Sequence, residues 1–170
     1  GTSGVKAILL NEQGEVVASH TEKLTVSRPH PLWSEQDPEQ WWLATDTAMK
    51  ALGAQHSLRD VKALGIGSFG PLDLNPASPT YGSITKTPKK EWIQYPLMAA
   101  LKDALGVPTG IDTDVNAAAL AEYTMGAGKG HGSLLYVTVG TGIGGGFVTD
   151  GRMIHGVVPM RRRRASAAVW

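Results

Sequence analysis

The chain has 170 residues, 42% hydrophobic and 18% charged, which is enough for one hydrophobic core but short for two full domains and excludes the disordered and fibrous classes. It has no cysteine, so disulfide frameworks and thiolate metal sites are excluded; with no signal segment and no apolar run near the roughly 20 residues of a membrane span, the expected compartment is the cytoplasm. Net charge is +1, but Arg161, Arg162, Arg163 and Arg164 leave the rest of the chain net acidic, and without interleaved aromatics that run reads as exposed terminal charge, so neither nucleic acid nor membrane is expected as a partner.

In chain order, residues 5–10 and 16–26 predict two strands joined by turn chemistry around Gly14, a β-hairpin at the start. Residues 27–37 read as an irregular loop ending in Asp37, an N-cap followed by proline at the first helical position, which predicts a helix from 38 to about 52 that stops at Gly53. A buried strand over 61–68 runs into a long polar loop, 69–92, of the kind that carries function in compact domains. Helix 95–105, strand 108–113, alanine-rich helix 115–126 and strands 133–139 and 145–148 follow, giving a mixed α/β sheet. From Val157 the sequence loses period and capping signals and reads as a tail.

Three segments carry chemistry. The run Gly140-Thr141-Gly142-Ile143-Gly144-Gly145-Gly146 lies between apolar strands and predicts a hairpin turn whose amides can approach an anion; a glycine-rich turn without a ligand fits as well. The opening Gly1-Thr2-Ser3-Gly4-Val5-Lys6 is a second small-residue turn, readable as the end of a phosphate loop or as a frayed terminus. Asp112-Thr113-Asp114-Val115-Asn116 stands where a strand meets a helix. Asp114 there could take a proton from a bound hydroxyl, although capping the helix is the commoner use of an aspartate at that place. The loop 80–92 offers hydroxyls, an indole and charges, as a sugar site or as solvated surface; Trp41 and Trp42 read as packing residues.

Two family resemblances occupy different parts of the chain. Residues 1 to about 66, with Gly1-Thr2-Ser3-Gly4-Val5-Lys6 and Trp33-Ser34-Glu35-Gln36-Asp37-Pro38-Glu39-Gln40-Trp41-Trp42, resemble bacterial D-xylulokinases of the FGGY carbohydrate kinase family. Residues 63–156 resemble bacterial fructokinases of the ROK family (repressor, ORF, kinase) through Gly65-Ile66-Gly67-Ser68-Phe69-Gly70-Pro71, Thr80-Tyr81-Gly82, Thr87-Pro88-Lys89, Asp112 to Leu120 and the Gly140 turn. The join falls at Ala63-Leu64-Gly65-Ile66, a strand in the same topological slot of both families, and residues 157–170 match neither. The resemblance implies the N-terminal lobe of an actin-like ATPase (ribonuclease H-like) fold over 1–156, with the second lobe missing, and no helix-turn-helix of a ROK repressor.

Carried over by position, the resemblance implies ATP and Mg²⁺ as cofactors and a sugar, fructose first and D-xylulose second, as substrate. Asp114 would be the catalytic base and Asn116 a sugar contact, with Gly70, Pro71, Tyr81 and Pro88 completing the sugar site. Gly1, Thr2, Ser3, Gly4 and Lys6 would form the first phosphate loop, and Gly140, Thr141, Gly142, Gly144 and Gly145 the second. No residue is assigned to hold a metal, because the acidic residue that precedes the first phosphate turn in both families does not occur in the sequence. The Glu-Met-Gly-His segment expected after His155 is likewise replaced. The intact family is compatible with a homodimer; for this chain itself impaired or absent activity is the expectation, because a lost lobe removes domain closure and half the nucleotide site.

Overall fold

The computed structural model describes residues 3–31, 35–87, 89–139 and 143–156. These form a mixed α/β structure in two compact units: Gly1–Gly65 with Gly70–Gly110, and Ile66–Phe69 with Ile111–Trp170.

In the first unit, strands β1 (Gly4–Leu10) and β2 (Val16–Lys23) pair antiparallel with Ala7 opposite His20, and the register shifts at Leu9 and Leu10. Asn11 makes the reversal: its side-chain oxygen accepts the amides of Gln13 and Glu15 at 3.0 and 2.9 Å, while Gly14 takes φ +81°. Helix α1 (Pro38–Gln55) starts where Asp37 accepts the Glu39 amide at 2.9 Å, and Pro38 has no amide to leave unpaired. Its buried residues Pro38, Ala44, Ala48 and Leu52 recur on one face and pack on the hairpin. The helix does not stop at Gly53. It continues to Gln55 and ends at His56 in extended backbone, because no left-handed residue follows to unwind it.

The polar loop of this unit is ordered. Leu72 bridges Ile84, the Thr85 amide reaches the Pro71 carbonyl at 2.8 Å, and a 3-10 turn, Lys90–Trp92, brings the Trp92 indole inside. That indole donates to the Gln36 carbonyl at 2.9 Å and meets the ring of Trp41 edge-on at 4.9 Å. Trp92 and Ile84 are fully buried. Trp41 thus packs as its helical position suggested. Helix α2 (Leu97–Leu105) closes on Gly106, whose φ of +64° supplies the left-handed cap.

Strands β3 (Leu64–Ser68) and β4 (Thr109–Thr113) pair with each other, and the chain passes between the units within both. In the second unit β4 leads directly into helix α3 (Asp114–Thr124), one residue earlier than its composition suggested. The helix covers one face of the antiparallel strands β5 (Ser133–Val139) and β6 (Ile143–Thr149). Ala119 and Val148 are fully buried there, whereas Leu135, Val137, Val139, Ile143 and Phe147 stand exposed along the opposite face. A short strand, β7 (Arg152–Met153), was not expected. Asp150 and Gly151, both at positive φ, turn β6 back onto it in a two-residue hairpin.

Candidate active site

The start of α3 is built by three consecutive residues with different tasks. Thr113, not Asp114, is the N-cap: it has extended backbone, and its hydroxyl accepts the Asn116 amide at 3.3 Å. Asp114 is displaced into the first helical turn, where one carboxylate oxygen accepts the Val115 amide at 2.8 Å. The other oxygen has no hydrogen-bond partner among the described residues, and the residue is exposed. A negative group there is also favoured by the helix dipole.

Asp112, two residues earlier, has both oxygens engaged. Its Oδ1 accepts the Thr113 amide and the Asn116 side-chain N–H, each at 2.7 Å, and its Oδ2 lies 2.7 Å from His155 Nε2. One carboxylate thus joins the end of β4, the first turn of α3 and the segment after β7. His155 was missed as a site residue; its partner is 43 positions away in sequence, and no local pattern signals such a pairing.

Glycines let the backbone approach this turn. A Cβ on Gly67 would come 3.2 Å from the Ala117 methyl. A Cβ on Gly146 would lie 2.8 Å from both the Ala119 methyl and the Val115 carbonyl oxygen, and 3.1 Å from the Asn116 side-chain oxygen. The strand expected over 145–148 begins two residues earlier, at Ile143, so Gly144, opposite Thr138, belongs to β6 with Gly145 and Gly146, opposite Val137 and Tyr136. Close helix-on-sheet packing accounts for Gly146 without any ligand.

In the first unit, Ser3 accepts the Leu24 amide through its carbonyl, and a Cβ on Gly4 would lie 2.5 Å from the Glu22 carbonyl, so the hairpin itself requires glycine there. Lys6 projects exposed from β1. Gly70 and Pro71 are joined by a cis peptide bond, and Tyr81 sits in the turn whose amide reaches the Ser78 carbonyl. Asp73 organises that turn by accepting the Ser78 and Thr80 hydroxyls and the Asn75 amide, which hold its carboxyl below the usual carboxylate range in that order of importance. Burial lowers the ammonium of Lys89 nearby. The expected contacts at Gly1, Thr2, Pro88, Gly140, Thr141 and Gly142 lie outside the described residues.

An open carboxylate at the start of α3 thus stands in the same unit as the glycine-bearing antiparallel hairpin of β5 and β6, within an actin-like ATPase fold. The ROK family matches residues 1–161, and the chain belongs to that family. The solved ROK family glucokinase from Streptomyces griseus, in complex with glucose and AMPPNP, superposes with a TM-score of 0.71 at 28% identity, covering 92% of this chain and 44% of that one. The fructokinase of Zymomonas mobilis is 54% identical over 95 residues, 56% of this chain and 32% of the relative. The xylulose kinase of Klebsiella pneumoniae is 94% identical over 66 residues, 39% of this chain but only 14% of the relative. The chain is thus composite in its likenesses, xylulokinase-like at its N-terminal part and fructokinase-like over the remainder, and it spans about a third or less of the length of these curated relatives.

Proposed function

We propose that this chain carries the hydroxyl-activating part of an ATP-dependent sugar kinase with fructose as the favoured acceptor. The observation that carries the reading is the single open oxygen of Asp114 at the start of α3. The fructokinase likeness in the same part of the chain supports the choice of acceptor. Asp114 takes the proton of a sugar hydroxyl; the freed oxygen attacks the γ-phosphorus of ATP, and the bond to the bridging oxygen breaks to release ADP. Asn116 contacts the sugar; the resemblance assigns further sugar contacts to Gly70, Pro71, Tyr81 and Pro88. The family resemblance assigns phosphate contacts to Ser3, Gly4 and Lys6 in the first unit and, in the second, to Gly140, Thr141, Gly142, Gly144 and Gly145.

Mg²⁺ would enter with the nucleotide, held mainly by its phosphates and by few protein ligands. When bound with the nucleotide, it neutralises phosphate charge. The reading takes residues 1–156 as the kinase part, 1–66 and 63–156 as its xylulokinase-like and fructokinase-like portions, and 157–170 as a basic tail, in a cytoplasmic protein.

D-xylulose is the second reading, favoured by the 94% identity of the first portion. A coupled ADP-release assay with ATP, Mg²⁺ and either sugar tests both. Fructose-dependent release that Asp114→Asn removes, with circular dichroism unchanged, is the expected result. Release with D-xylulose alone transfers the acceptor to the second reading, and no release with either sugar overturns the proposal for this chain.

A further inference from the structure

We infer that Asp112 and His155 are positioning residues, which fix the first turn of α3 and with it the direction in which the Asp114 carboxylate and the Asn116 amide are presented. The inference rests on the sugar-kinase reading for its kinetic consequence but not for its structural content. Asp112 accepts three donors from three places in the chain: the next backbone amide, the Asn116 side chain one helical turn on, and the ring of His155 from beyond β7. Hydrogen bonds to an ionised carboxylate are the stronger kind, and a planar group held by both oxygens has little freedom to rotate. The Asn116 amide is then fixed at both ends, its N–H on Asp112 and its oxygen packed over Gly146, where no side chain intervenes.

Asp114 is then the one carboxylate of this turn with an oxygen that has no partner among the described residues. His155 is half-exposed, with 48% of its side-chain surface accessible against 26% for Asp112, so its removal leaves no buried cavity. Its contribution is therefore separable from packing.

The test uses the full chain and the variants His155→Ala, His155→Gln and Asp112→Ala, read by kcat and KM for sugar phosphorylation and by the amide resonances of Asn116 and Val115. His155→Ala is expected to lower kcat about tenfold, the size of one hydrogen bond to a charged group, with KM unchanged. His155→Gln, which restores a donor at the same reach, is expected to recover most of it. Asp112→Ala is expected to move the Asn116 side-chain amide to the position of a free carboxamide and to speed its exchange with solvent. Wild-type kcat and spectra in His155→Ala, or an unmoved Asn116 amide in Asp112→Ala, would overturn the inference. If the wild-type chain shows no sugar-dependent turnover, the sugar-kinase reading fails on its own, and the two spectra alone decide the positioning role.

Discussion

The polar loop of the first unit and the start of α3 in the second are made from the same materials, short carboxylates beside hydroxyls and amides, yet they use them differently. Asp73 gives its oxygens to Ser78, Thr80 and Asn75 and holds backbone. At α3 the work is divided: Asp112 has both oxygens engaged in the same way, and Asp114, two residues on, keeps an oxygen open. The number of donors already spent on a carboxylate, more than its identity or place in a motif, separates one that shapes the chain from one that can accept a substrate proton.

That contrast breaks most easily at Asp114. Asp114→Asn is expected to lower sugar-dependent turnover by about 10²–10⁴, the range for a general base, without loss of folded content, since an asparagine oxygen can still accept the Val115 amide. Equal loss of fold and activity would place Asp114 with Asp73. In the first unit the large effect is on stability instead: Trp92→Ala should cost about 3–5 kcal/mol in urea unfolding, because it empties a fully buried site and removes the hydrogen bond to the Gln36 carbonyl. A cost under about 1 kcal/mol would mean that the loop is not pinned by its indole.

Gly146→Ala sharpens the account of α3, since the added carbon must push the helix off β6, at about 1–3 kcal/mol. Thr113→Ala should cost about 1 kcal/mol as loss of the cap, and a neutral result would return the capping role to Asp114. The smallest effect concerns Asp73. Its folded carboxyl titrates below the usual range, so its stabilisation is present above the ordinary carboxylate pKa and is lost as pH falls through the lowered value. Melting curves of wild type and Asp73→Asn should differ at neutral pH and converge in acid; a gap that persists at the acid limit contradicts the hydrogen-bonded role.

Much of this was legible in sequence where the signals are local. Asp37-Pro38 marked the start of α1. The hairpin of β1 and β2 was equally plain, and the ROK and xylulokinase likenesses were both readable from their motifs. Gly53 misled because a glycine followed by further helix formers is tolerated inside a helix. Asp150-Gly151 carried a hairpin signal that was passed over, and with it β7. The start of β6 was placed two residues late, at Gly145, because composition alone does not distinguish a glycine that bends from one that admits a helix. The Asp112–His155 pairing was not legible, since it exists only once β4 and the segment after β7 have been brought together.

The central claim is that the open carboxylate of Asp114 serves a sugar hydroxyl. It is tested most directly by comparing fructose- and D-xylulose-dependent ADP release in the wild-type chain and in Asp114→Asn, with circular dichroism on the same samples. Fructose-dependent release that vanishes in a fully folded variant is the predicted result; release that survives in Asp114→Asn would contradict the claim.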